Sequence, residues 1–218
     1  ARRADKLQTL ADEMLDAHIR PIPMDLTDRD AYAKLDDLLS EEKAVIKVLI
    51  NNAGYCACGR FDEMEVSAIQ KMIDLNITAL TAVNKACFPY MTEESYAVLT
   101  CSVSSFAPVI GQAVYSASKA YVLYLGHALY AEMKKKGVTV LTLCPGNMDT
   151  EMNVRGGEGE KAGSLPYLNV PKLARQTLKR AESGKGFYTP GWFYKGYRVL
   201  SKILPHHVMM TLSGGVFQ

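Results

Sequence analysis

Strand-like and helical patterns alternate along this chain, and that alternation constrains its fold more than any single motif. The runs HIRPIPMDL (18–26), KAVIKVLINNAG (43–54), YAVLTCSVSS (96–105) and GVTVLTLCPG (137–146) contain short β-branched stretches, and each ends in polar or glycine punctuation. Between them, apolar residues recur at spacings of three and four. One helix is expected over 3–15, with Leu7, Leu10 and Met14 on one side. A second follows DLTDRDAYAKLDDLL, where Thr27 and Asp30 stand like an N-cap and an acidic third residue. A third covers 65–91 and a fourth 114–133, the latter closed by Lys134, Lys135 and Lys136 ahead of Gly137, where positive charge suits a helix C-terminus. Apolar strands separated by helices predict an α/β fold, a parallel sheet with helices on both faces.

The 218 residues are enough for one such domain. Hydrophobic residues make up 48% and charged residues 22%, a globular rather than disordered composition. A formal net charge of +2 without a basic block argues against a nucleic-acid partner. Five cysteines, an odd number with no CxxC pair, argue against a disulfide framework. Cys56 and Cys58 form a CxC with no second pair at metal-ligand spacing, so no metal site is expected. With no bilayer-length apolar run and no secretory signal pattern, a reduced, cytoplasmic protein is expected.

In parallel sheets of this kind the ligand binds outside the carboxyl ends of the strands. Here those ends carry Asp25, the Asn51-Asn52-Ala53-Gly54 segment, Ser102, and Pro145-Gly146, all small or polar groups aimed at one rim. A dinucleotide-binding sheet also has a glycine-rich turn after its first strand. The first glycine of this sequence is Gly54, and the chain opens on Ala1, Arg2 and Arg3 directly before a helix. A first β-α-β portion of roughly 30 or more residues is expected to precede this sequence, and the numbering is expected to start inside the native chain.

Asp25 in MDLTD, NNAG at 51–54, Asn76 in LNI, Ser102 in TCSVSS, Tyr115 and Lys119 in YSASK, and PGNMDTEM at 145–152 together resemble the short-chain dehydrogenase/reductase family. YxxxK alone is a weak signal. Preceded by a serine thirteen residues earlier and accompanied by NNAG and PG in order, it is a strong one. The resemblance runs from Ala1 to about Met152 and more loosely to the end. It implies a single Rossmann-like, doubly wound domain over 1–218 and an oxidoreductase that interconverts a ketone and a secondary alcohol with NADP(H). The alternative on the same fold is a catalytically silent cofactor-binding or regulatory protein.

A ketone reduced by hydride needs a proton donor at its oxygen. A free tyrosine, with a pKa of about 10, is too weak an acid for easy exchange at neutral pH, and a nearby ammonium lowers that value. The i, i+4 spacing puts Tyr115 and Lys119 on one helical face. The resemblance makes Tyr115 the general acid/base, gives Lys119 both this electrostatic role and the cofactor ribose, and assigns Ser102 to the substrate oxygen. Ser104 and Ser105 are rivals better explained as turn residues. Asn76 sits mid-helix, where asparagine is unfavourable, and the resemblance implies a kink whose freed carbonyl holds a proton-relay water. Asn52, Ala53 and Gly54 would pass beneath the adenosine half, Asp25 would accept from the adenine amine with Leu26 beside the ring, Pro145 and Gly146 would face the nicotinamide, and Thr150 would bind its carboxamide. Arg2 and Arg3, with no acid before Asp5, favour NADP(H) over NAD(H). Cys56, Cys58 and Cys101 flank the expected site as small apolar filling.

Segment 153–169, rich in glycine and charge, corresponds to the family's mobile substrate lid. A helix over VPKLARQTLKRAESGK and a short strand in GFYTPG follow. The tail 192–212 is amphipathic, with Phe193, Tyr197, Leu200 and Leu204 on one stripe and Lys195, Arg198 and Lys202 on another face. Docking on the core or a partner subunit is favoured over membrane-surface contact, and His206 and His207 are expected to be structural or exposed. The apolar tail and lid point to a small hydrophobic carbonyl or alcohol substrate. The resemblance implies a homodimer or homotetramer assembled through the long helices matching 65–91 and 115–136.

Overall fold

The computed structural model describes residues 2–14, 16–150, 154–155, 160–161 and 165–214. Its centre is a parallel sheet of four strands, β1 (Ile46–Asn51), β2 (Met91–Thr100), β3 (Thr139–Leu143) and β6 (Phe187–Tyr188), in the order β1-β2-β3-β6. Alternation along β2 and β3 builds two cores. Ala97, Leu99 and Val140 pack with Leu80, Val122 and Met133 from α4 (Leu80–Cys87) and α5 (Ala113–Lys134) on one face. Val98, Leu141 and Leu143 pack with Leu173 and Ala181 of α6 (Val170–Glu182) on the other. Helices therefore cover both faces, as the alternating sequence pattern implies. At the end of α5 the chain turns through Gly137, whose φ of +70° is a left-handed conformation that glycine adopts without strain. No helix among the described residues is long and apolar enough to cross a membrane.

Four sequence expectations need correction. Residues 18–26 form no strand: Pro21 and Pro23 offer no N–H to a ladder, and the segment joins no sheet among the described residues. Thr27 does not cap α2 (Asp30–Glu41); the N-cap is Arg29, and Asp25 Oδ1 instead accepts from the backbone N (3.0 Å) and hydroxyl (2.8 Å) of Thr27 in a local turn. The helix expected over 65–91 is divided into α3 (Val66–Ile73), a π-helical segment (Asp74–Ala79), α4 and a short 3-10 turn (Phe88–Tyr90). The tail is two helices, α7 (Trp192–Ile203) and α8 (His206–Gly214), separated at Pro205.

Residues 153, 156–159 and 162–164 of the expected lid lie outside the described residues. Within it, β4 (Val154–Arg155) pairs antiparallel with β5 (Glu160–Lys161), and Leu165 is buried. The first helix, α1 (Ala4–Glu13), forms where expected, but it has no buried residue and leaves Leu10 exposed.

Candidate active site

The carboxyl ends of β1, β2 and β3 meet through polar links between loops. Asn51 is buried at the end of β1 and donates through Nδ2 to Leu80 O (3.0 Å), tying the strand to the end of the π segment. The neighbouring Asn52 accepts from Thr100 Oγ1 (3.0 Å), joining β1 to β2. Val103 N donates to Pro145 O (3.0 Å), joining the turn after β2 to the loop after β3. Three strand ends thus form one rim.

Asn76 organises the rim from below. It is fully buried within the π segment, and its Oδ1 accepts from Tyr55 N (2.8 Å). Its Nδ2 donates to Tyr55 O (2.9 Å) and to Ser118 Oγ (3.0 Å). π bulges of this kind are frequent at functional sites. The side-chain amide of Asn76 thereby clasps the residue after Gly54. A Cβ built on Gly54 would lie 3.4 Å from Asn76 Oδ1 and 3.5 Å from Lys119 Nζ, so this backbone runs directly against both side chains. Ala53 beside it is exposed.

Tyr115 and Lys119 project from α5 into the same place. Lys119 is buried, its Nζ lies 5.7 Å from the Tyr115 ring centroid, and it donates to Thr100 O (2.9 Å). Among the described residues no carboxylate pairs with it. Ser118 locks the helix face by donating to Tyr115 O (2.7 Å). Ser102 N-caps the 3-10 turn Val103–Ser105, its Oγ accepting from Ser104 N (3.1 Å), and it also hydrogen-bonds Tyr115. Ser105 donates to Ser102 O (2.6 Å), the turn role expected of it.

Electrostatics depart from the sequence expectation. Burial pushes the Tyr115 phenol well above its ordinary value; the Cys56 thiol adds to this, and the Ser102 bond only partly opposes it. Burial likewise holds Lys119 below the usual lysine value. The phenol is therefore not brought below its ordinary value here, because burial, which penalises the charged form of each group, is the largest influence on both.

The other predicted residues form two further groups. Arg2 Nη1 lies 3.6 Å from Asp25 Oδ2, both solvent-exposed, and Leu26 accepts at its carbonyl from Tyr32 Oη (2.7 Å). Hydrogen bonds from Thr27, followed by the Arg2 charge, hold the Asp25 carboxyl below its usual range. Arg3 occupies the N-cap position of α1. On the opposite side, Gly146 lies face-on to Tyr194, where a Cβ would come within 1.9 Å of the ring. Tyr194 is 1% exposed; its hydroxyl donates to Pro166 O (2.6 Å) and accepts from Asn147 N (3.0 Å). Pro145 is buried, and Thr150 is half-buried further along this loop.

Sequence reasoning missed Ser118, Tyr55 and Tyr194. Ser118 stands inside YSASK and was open to view, whereas Tyr194 carries no local signal. Cys101 is core filling, buried with its Sγ on Lys119 O (3.1 Å). Cys58 is not: it is exposed, with its Sγ 3.7 Å from that of Cys56. No disulfide joins any of the five cysteines, and the described residues contain no cluster able to hold a metal.

A family profile described as short chain dehydrogenase matches residues 1–161. An uncharacterised oxidoreductase of Staphylococcus aureus is 30% identical over 151 residues, which are 68% of this chain and 65% of that protein. The chain thus spans about two thirds of that relative's length. A short-chain dehydrogenase from Sphingobium yanoikuyae, solved with NADPH, superposes with a TM-score of 0.77 at 28% identity over 94% of this chain and 85% of its own. A bulky-bulky ketone specific alcohol dehydrogenase from Comamonas testosteroni gives a TM-score of 0.76 at 26% identity, covering 93% and 79%. The parallel sheet, its helices on both faces and the matched residues agree: this chain, with its Rossmann-like fold, belongs to the short-chain dehydrogenase/reductase family.

Proposed function

We propose that the protein is an NADP(H)-dependent oxidoreductase that interconverts a hydrophobic ketone and a secondary alcohol, with Tyr115 as general acid/base. The observation that carries this reading is the state of Lys119. It is buried, has one of its three donors on Thr100 O, lacks a carboxylate partner among the described residues, and stands against the open backbone of Gly54. Lys119 would hold the ribose hydroxyls of a dinucleotide with its remaining donors. The donor set therefore fits a nicotinamide dinucleotide, and the Arg2 guanidinium at the Asp25 rim fits a 2′-phosphate.

Within this reading, Tyr115 delivers its phenolic proton to the carbonyl oxygen, and Ser102 holds that oxygen and the phenol in one hydrogen-bonded line. The bound cofactor supplies the hydride to the carbonyl carbon. Asn76 keeps the Gly54–Tyr55 backbone fixed beneath Lys119. Gly146, held flat against Tyr194, shapes the opposite wall, and Thr150 lies on the loop beyond. NADPH in one similar structure and bulky ketones for another are consistent with this chemistry. Assembly as a homodimer or homotetramer in the cytoplasm belongs to the same reading and is checked by light scattering and fractionation.

The test is NADPH turnover by the full native chain against a panel of ketones. Tyr115→Phe is expected to lower kcat/KM by about 10²–10⁴-fold while NADPH still binds and still raises the melting temperature. If the wild type binds NADPH, reduces no ketone, and Tyr115→Phe changes nothing, the proposal fails.

A further inference from the structure

The inner face of α7 docks as the tail was expected to: Tyr194 is buried, and Phe193 and Tyr197 pack with Val103 and Leu165. The outer face is the unexplained feature. Trp192, Val199 and Ile203, at i, i+7 and i+11, fall on one side of the helix and are 84%, 58% and 72% exposed. Lys195 and Lys202 flank this stripe on one edge and are exposed too. Residues 192–214 contain no aspartate or glutamate.

Beside Trp192 lies a cleft of about 390 Å³ between α6 and the start of α7. Its lining includes Lys172, Arg180, Lys195, Gln176 and Tyr188, and no acid. The groups are set in place: Arg180 lies 4.3 Å over the Tyr188 ring, and Tyr188 Oη donates to Gln176 Oε1 (2.6 Å). No carboxylate pairs with the three cations among the described residues. The first turn of α7, whose N-cap Gly191 has no side-chain bond, borders the same cleft, and helix N-termini favour anions.

We propose that α7 and this cleft seat on an anionic lipid surface. The headgroup phosphate lies among Lys172, Arg180 and Lys195, and Trp192, Val199 and Ile203 enter the acyl boundary. A second copy of the chain is a poorer occupant. An isologous contact would set Lys195 and Lys202 against their own copies with no acid from 192–214 to offset them. A free phosphate explains the cleft but leaves the apolar stripe beside it without a function. A bilayer of anionic lipid accounts for both, since basic residues and exposed tryptophan together suit that boundary.

Trp192 is the only tryptophan of the 218 residues, so its emission reports on the site directly. The experiment uses the full native chain with vesicles of phosphatidylcholine alone or mixed with phosphatidylglycerol, and Trp192→Phe identifies the signal. Blue-shifted emission and co-sedimentation are expected only with the mixed vesicles and are expected to weaken with salt. Lys195→Ala and Lys202→Ala should each lower vesicle affinity roughly fivefold. Both sites are exposed, so these variants should fold and keep their melting temperature. Equal binding to phosphatidylcholine alone overturns the proposal, as does no binding at all. An emission change with inorganic phosphate but not with vesicles would assign the cleft to a soluble anion, and burial of Trp192 by self-association without lipid would assign the stripe to a second copy; either result also overturns it.

Discussion

At Tyr115, burial and neighbouring thiols hold the proton on the phenol, and this gives the proposed reaction a direction-dependent pH profile. The acid's value is raised, so the protonated form prevails throughout the neutral range. Ketone reduction, which needs that proton, should be flat from neutral pH up to the ordinary tyrosine value of 10.0. Alcohol oxidation, which needs the phenolate, should rise about tenfold per pH unit over the same range; kcat/KM measured in both directions checks this. Asn76 gives a second prediction at this scale. Asn76→Ala leaves the Tyr55 backbone groups and Ser118 Oγ without the partners that clasp them. The expected loss is about 1–3 kcal/mol, read by urea denaturation.

Elements meet here at distances that only particular residues allow. Helix α5 lies on β3 so closely that a Cβ at Gly126 would come within 2.0 Å of Thr142 Oγ1, a hydroxyl buried without a partner. Gly126→Ala should therefore cost about 1–3 kcal/mol. In the double variant Gly126→Ala, Thr142→Ala the new methyl enters the vacated space, so a clearly less than additive loss is expected from the denaturation midpoints. The same logic fixes α7, because Tyr194 fills the space that the missing side chain of Gly146 leaves open. The π segment is a third case: its wider turn brings the Asn76 amide onto the Gly54–Tyr55 loop and Ser118, linking helix, loop and α5.

Across the whole molecule, burial is uneven in a way that sets an order of local stability. β2 and β3 are paired on both sides and covered on both faces, whereas β6 (Phe187–Tyr188) pairs only with β3 among the described strands. Hydrogen exchange should accordingly be slowest at Ala97–Leu99 and Val140–Leu143 and faster in β6. Exchange in β6 as slow as in β3 would contradict this ordering.

Sequence alone determined the alternating α/β order, β1, β2 and β3, and helix α5 with its Lys134 end. Each rests on local pattern, either β-branched runs or apolar spacing, whereas the Asn76, Ser102, Tyr115 and Lys119 set was reached through a family resemblance. It misread 18–26 as a strand, because a strand-like run carries no information about whether a neighbour offers it a ladder. It also misjudged the Tyr115–Lys119 pair, because an i, i+4 spacing fixes their nearness but not the burial that shifts both toward the neutral form. The Gly146–Tyr194 contact, the joining of three strand ends through Asn52, Thr100, Val103 and Pro145, and the outward Trp192 stripe were decided only by the tertiary structure. In the first two the interacting groups are distant in sequence, and in the third what matters is which surface remains uncovered once the chain has packed.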